Sequence, residues 1–279
     1  MRFLVNAFDN MLSQYKAISR EEKSHALREV MQQIVLAGLS RSDFFEHAAF
    51  YGGTCLRLFY GLPRFSEDMD FSLLQVNENF DLQNYFPFIK DEFLSMGKSI
   101  EISKKKKQQN TNIESAFLKD TSQLYDIKFQ TEKQMKIKVE VDILPPLNFE
   151  TENKLLIQPF SFNACCFTLP CLFAGKVHAF LFRNWKNRVK GRDWFDFEWY
   201  VQNKISLNLN HFIARAKQFG DTSGKIRDEK SLKLALAKRI KSVDISAVKN
   251  DIMPFLKKTQ SIEIWSEDYF LELAKRVVL

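Results

Sequence analysis

Between Ala48 and Leu74 the chain sets out, in order, a short apolar run, a glycine pair, an apolar-periodic run and an alternating run, and that order constrains the fold more than any other feature. Ala48 to Tyr51 ends in Gly52-Gly53-Thr54, after which Leu56, Leu58, Phe59 and Tyr60 predict a helix, so the segment reads as strand, tight turn, helix. Gly61-Leu62-Pro63 closes that helix. From Ser66 to Leu74 a second strand is predicted, with Met69, Phe71 and Leu73 on one face and Asp68 and Asp70 on the other.

Two aspartates at i and i+2 of a strand point the same way, and their ionised carboxylates repel unless a cation lies between them. Mg²⁺ suits that role: it is a hard ion that takes one or two carboxylates together with phosphate oxygens, and a pair of such ions can clamp an in-line phosphoryl displacement. A third carboxylate from a neighbouring strand would complete the set. Glu140 and Asp142, on the polar face of a strand predicted from Lys136 to Leu144, both qualify. The glycine pair offers backbone without side-chain bulk whose N–H groups, at a helix start, can approach phosphates. The competing structural reading is an ordinary turn before an exposed acidic strand; Met69, Phe71 and Leu73, which anchor the strand, weigh against it.

Elsewhere the pattern is mixed, then helical. Ser19-x-x-Glu22 has the form of a capping box and predicts a helix to about Ala37, stopped by Gly38. A helix between Phe80 and Met96 and a hairpin of Leu124 to Phe129 with Lys136 to Leu144, turning at Thr131 to Gln134, are also expected. After Pro145-Pro146 the strand signal fades, and from about Cys171 helical stripes such as Ile245, Val248, Ile252, Phe255 and Phe270, Leu273, Ala274, Val277 read as core. The expected organisation is therefore an α/β (α+β) part over residues 1–160 and a helical part over 161–279.

With 45% hydrophobic residues in a chain of 279, a continuous core is attainable, yet no apolar stretch is long enough to span a bilayer and the N-terminus lacks a secretory apolar region. A cytoplasmic, globular protein is expected. Cys55, Cys165, Cys166 and Cys171 lack paired spacing and read as reduced, buried thiols. His25, His47, His178 and His211 have no companions at ligand or triad spacing and read as packed or surface residues. The aromatic run around Trp185, Trp194, Phe195, Phe197, Trp199 and Tyr200 reads as core rather than as a base-stacking platform. A net charge of +7 favours polyanionic partners without identifying one, and the run Lys104 to Lys107 reads as a solvated loop before an RNA contact.

The segment Tyr51-Gly52-Gly53-Thr54-Cys55-Leu56-Arg57, continued by Tyr60-Gly61 and Arg64-x-Ser66-x-Asp68-x-Asp70-Phe71, resembles the first motif of the AbiEii-type nucleotidyltransferase toxins, relatives of the MenT toxins in the polymerase-β-like superfamily. Lys176-x-x-Ala179-x-x-x-Arg183 and Lys190-x-Arg192-Asp193-x-x-Asp196 are similar to its later motifs, and Asp251-x-x-Pro254-Phe255-Leu256 to its C-terminal region. The resemblance implies a nucleotidyltransferase lobe with a mixed sheet, a helical C-terminal lobe, an NTP between them, and transfer of a nucleoside monophosphate with release of pyrophosphate. It implies Mg²⁺ or Mn²⁺ on Asp68, Asp70 and a third acid, for which Asp142, at the second acidic position of its strand, fits the family pattern better than Glu140. Catalytic roles are implied for Lys176 and Asp193, and nucleotide contacts for Gly52, Gly53, Thr54, Arg57, Ser66, Lys176 and Arg192. Also implied are a tRNA 3′ end as acceptor, an antitoxin protein as partner and a part in phage defence.

Blander roles stand beside these. Lys176 could be a surface lysine, Arg183, Arg192 and Asp193 a helix-surface ion-pair network, Asp196 a structural acid, and Arg57 and Arg64 either supports of the acidic pair or exposed. Rival activities are transfer to a protein or to a small hydroxylated molecule, or a silent regulatory binding protein that keeps the fold; no catalytic carboxylate is evidently lost.

Overall fold

A computed structural model describes residues 7–104, 122–129, 136–183, 189–219, 224–256 and 262–279. Helices α1 (Ala7–Ser13), α2 (Arg20–Ser40) and α3 (Phe44–His47) precede strand β1 (Ala48–Tyr51), helix α4 (Gly52–Tyr60) and strand β2 (Met69–Leu73). Then come α5 (Phe86–Ser95), β3 (Ile100–Lys104), β4 (Ser122–Phe129), β5 (Lys136–Asp142), β6 (Thr151–Leu156) and β7 (Phe162–Phe167). Helices α6 (Leu169–Phe182), α7 (Gly191–Gln202), α8 (Leu209–Phe219), α9 (Glu229–Lys241), α10 (Ile245–Ile252) and α11 (Glu267–Lys275) complete the chain. No helix among the described residues is long and apolar enough to cross a membrane. Lys105 to Lys107, the turn at Thr131 to Gln134, and Trp185 lie outside the described residues.

The strands form one seven-stranded mixed sheet in the order β3-β4-β5-β2-β1-β7-β6. β1 runs antiparallel to β2, while β2 runs parallel to β5 and β1 parallel to β7. The ladders align Phe50 with Phe71, Met69 with Val139 and Phe71 with Val141, and all of these side chains are buried on one face. Tyr51, Asp70 and Glu140 are aligned on the opposite face. The sheet alternation therefore separates core from site residue by residue.

Helix α2 carries the expected capping box: Ser19 accepts from the Glu22 amide, and the Glu22 carboxylate accepts from the Ser19 amide. Gly38, expected to stop the helix, lies inside it. A Cβ there would sit 2.7 Å from Cα of Ile89, so the glycine permits close packing of α2 on α5 instead of ending α2.

Strands β6 and β7 were not expected. β6 is an edge strand whose side chains are mostly exposed, so it shows no apolar alternation; β7 is apolar almost throughout and runs straight into α6, which hides its period. The sheet thus reaches Phe167, past residue 160, and the helical part begins at Leu169. There the aromatic run packs as core: Phe173 stacks on Tyr200 at 4.5 Å, Phe180 on Phe197 at 4.9 Å, and Trp194 meets Phe270 edge-on at 4.7 Å. All four cysteines are free and buried, as their spacing predicted.

Candidate active site

The turn between β1 and α4 is shaped by what stands next to it. Gly52 has φ +83°, and a Cβ on it would lie 2.4 Å from Oδ2 of Asp70; a Cβ on Gly53 would lie 2.9 Å from both Nη2 of Arg64 and Oγ of Ser66. Gly52 is thus required by a left-handed backbone and by Asp70, and Gly53 by the Arg64 and Ser66 side chains that crowd it. Gly52→Ala is expected to strain the turn by about 1–3 kcal/mol and to push Asp70 out of place. The expected outcome is a lowered melting temperature together with loss of transfer; an active, fully stable variant would show that the turn does not set the carboxylate.

Asp68 immediately precedes β2 and Asp70 lies within it. The buried Thr54 hydroxyl donates to the Asp68 carbonyl, tying α4 to the start of β2 rather than pointing to an open pocket. Across the parallel ladder Asp70 stands level with Glu140, and Asp142 stands level with Ser72, one side-chain step further along the sheet. Burial first, then Glu140 and Asp68, push the Asp70 carboxyl up to about 7. Asp142 accepts from the Leu144 amide at 3.1 Å, and burial pushes its carboxyl up to about 6 while Arg215 of α8 opposes the rise. Lys138, on the same face of β5, lies 2.8 Å from Glu140. Oxygen donors crowded enough to hold a proton near neutrality fit a hard divalent ion. As they stand, no three His, Cys, Asp or Glu side chains among the described residues are gathered closely enough to hold one.

The loop before β2 is held from three directions. Arg64, 2% exposed, makes a two-pronged pair with Asp196 of α7, with both N–O distances 2.6 Å. The Phe65 amide donates to the Phe255 carbonyl, and Glu67 is met by Arg28 of α2 and Arg192 of α7. Lys176 of α6 lies 2.8 Å from Asp196 and 2.9 Å from Asp193, and Arg183 adds a second cation to Asp193. These acids are buried. Burial alone would raise both carboxyls; Lys176 and Arg183 beside Asp193, and Arg64 and Lys176 beside Asp196, hold them below the usual range. Lys176 and Arg183, both partly exposed, therefore close on two buried acids, Asp193 and Asp196, and Arg183 also acts on Asp70.

Several expected contacts are thus found with their side chains engaged elsewhere. Arg57 pairs with Glu29 at 3.0 Å and donates to the Leu62 carbonyl, bracing α4 against α2. Arg192 lies over the Phe255 ring at 4.2 Å while reaching Glu67. Ser66 faces Gly53, and its carbonyl accepts from Gln32. Lys138 and Arg215 were not singled out from sequence. Lys138 was legible, since it alternates with Glu140 on one strand face; Arg215 was not, since only tertiary packing brings α8 to the sheet. His178 and His211 are buried among aromatic rings, where burial drives both imidazoles down to about 3.

A glycine turn opens a helix beside strand carboxylates, later helices deliver a second group of basic residues, and the family to which the chain belongs makes it a nucleotidyltransferase, an enzyme. A family profile, the nucleotidyl transferase AbiEii toxin of type IV toxin–antitoxin systems, matches residues 34–273, and the chain belongs to that family. Among solved structures it is similar to JHP933 from Helicobacter pylori, at 19% identity and a TM-score of 0.53, covering 93% of this chain and 91% of that one. It is also similar to MenT4, a nucleotidyltransferase toxin from Mycobacterium tuberculosis H37Rv, at 15% identity and a TM-score of 0.53, covering 96% of this chain and 87% of that one. At these identities the likeness speaks for the fold, which is the expected mixed α/β one. No curated protein matches the chain.

Proposed function

We propose that the chain transfers a nucleoside monophosphate from an NTP to the 3′ end of tRNA in a Mg²⁺- or Mn²⁺-dependent reaction, as the cytoplasmic toxin of a toxin–antitoxin or phage-defence pair. The observation that carries this reading is Asp70, set against the Gly52 turn and level with Glu140 across the ladder, its carboxyl pushed up to about 7 by burial first and then by Glu140 and Asp68. Asp68 and Asp70 are taken as cation ligands. For the third we favour Glu140 over Asp142, because the ladder sets Glu140 level with Asp70, whereas Asp142 stands a step away, bonded to the Leu144 amide and facing Arg215.

When bound, the divalent ions would neutralise charge at the reacting phosphate and favour ionisation of the acceptor hydroxyl. The chain's own residues do the rest. Gly52 and Gly53 add no side chain to the crowded start of α4, whose amides would meet phosphate oxygens, and Ser66 borders them. Lys176, aimed by Asp193 and Asp196, presents a fixed ammonium for the departing pyrophosphate. Arg183 shares Asp193 and stands close enough to influence Asp70, so it links the two halves of the site.

For the acceptor, the net charge of +7 suits a polyanion, and the family's toxin character suits a target in translation. The test uses labelled NTPs with intact and periodate-blocked tRNA at several salt concentrations. Label on intact tRNA alone, with binding that weakens steeply as salt rises because neutralised phosphates release counterions, is the expected result. Label on blocked tRNA, or only on protein or a small hydroxylated molecule, would exclude the 3′-hydroxyl.

A further inference from the structure

On the face of the sheet that carries Asp68 and Asp70, β5 presents Lys138 as well as Glu140. Met69 is aligned with Val139 and Asp70 with Glu140, so Lys138 stands level with Asp68. Its ammonium lies 2.8 Å from Oε2 of Glu140, with the two side chains 32% and 25% exposed, so the contact is neither sealed in the core nor fully solvated. One ammonium cannot balance the carboxylates of Asp68, Asp70 and Glu140, so negative charge remains in excess.

We propose that Lys138 is a built-in counter-cation of the acidic set, holding Glu140 until a divalent ion displaces it. The proposal rests on the reading of Asp68, Asp70 and Glu140 as the cation site. It has a physical consequence at each stage. In the metal-free protein the ammonium relieves repulsion that would otherwise oppose folding of β2 beside β5. A divalent ion entering alone must compete with that ammonium for Glu140, which lowers its affinity. A nucleotide triphosphate arriving with the ion gives the released ammonium an anionic partner, so nucleotide strengthens metal binding and metal strengthens nucleotide binding by the same factor. Lys138 therefore favours arrival of metal and nucleotide together over metal alone.

The experiment is an electron-paramagnetic-resonance titration of the full chain with Mn²⁺ and no nucleotide, on wild type, Lys138→Met, Lys138→Gln and Asp70→Asn. Removing one cation a few ångströms from the site is expected to tighten Mn²⁺ binding about tenfold in both Lys138 variants. Their melting temperatures in EDTA should fall below wild type, and added Mn²⁺ should raise them by more. Asp70→Asn should lose the Mn²⁺ site. The glutamine variant keeps a polar side chain on the strand and serves if the methionine variant does not fold. Wild-type or weaker Mn²⁺ affinity in a folded Lys138 variant, with binding lost in Asp70→Asn, overturns the role of Lys138 and leaves the cation site standing. Wild-type Mn²⁺ binding in Asp70→Asn removes the cation site, and this proposal with it.

Discussion

Asp70→Asn is expected to slow nucleotide transfer by about three orders of magnitude, since a metal held at the reacting phosphate contributes several kcal/mol and each 1.36 kcal/mol is tenfold in rate. The same substitution should stabilise the metal-free protein, and only above acidic pH. The Asp70 carboxyl is raised from 3.8 to about 7 in the folded chain, by burial first and then by Glu140 and Asp68. A raised carboxyl binds its proton more tightly folded than unfolded, so its contribution to stability declines as pH climbs from about 4 to about 7 and stays low beyond. Asparagine carries no such penalty. Melting temperatures in EDTA should therefore agree near pH 4 and diverge by pH 8, with the variant higher. A transfer rate close to wild type at saturating Mg²⁺ would remove Asp70 from the site, and a stability difference independent of pH would contradict the crowding.

Asp196→Asn is expected to be the most destabilising single change in the network, at about 3–5 kcal/mol, because it leaves the buried Arg64 guanidinium without its carboxylate and Lys176 with Asp193 alone. The pair is dry: Arg64 is 2% exposed and Asp196 not at all. Its pH signature runs opposite to that of Asp70. Arg64 and Lys176 overcome the effect of burial and hold the Asp196 carboxyl below 3.8, so its contribution is fully present above the ordinary carboxylate range and is lost as pH falls through the depressed folded value. Urea unfolding of wild type and variant should differ most at neutral pH and converge in strong acid. Arg192→Ala, whose contact with Glu67 is longer and partly solvated, should cost less than about 1 kcal/mol in the same measurement. Equal losses in the two variants would show that Asp196 is not the junction between the β2 loop and α7.

How much of this was written in the sequence depends on how far apart the interacting residues lie. The segment from Ala48 to Leu73 was legible because its information is local: a strand, a turn only glycine can make, a helix and an alternating acidic strand follow one another within a few turns of chain. The capping box at Ser19 was legible for the same reason. Gly38 was misread because its cause is not local; the backbone of α5 passes too close for any side chain there. Strand β6 was missed because an edge strand buries little and so need not alternate, and β7 because a buried strand beside a helix loses its period.

The sequence by itself determined the glycine turn and the family and singled out the candidate acids, since those rest on residue identity and spacing along one stretch of chain. Only the tertiary structure decided which β5 carboxylate stands level with Asp70, because register in a parallel ladder depends on how distant strands align, and a shift of two residues exchanges Glu140 for Asp142. It likewise decided that Arg64 closes on Asp196, a pair separated by 132 positions in the chain. Neither residue needs the other for its local conformation; burying both charges is what requires each to meet an opposite charge at contact distance.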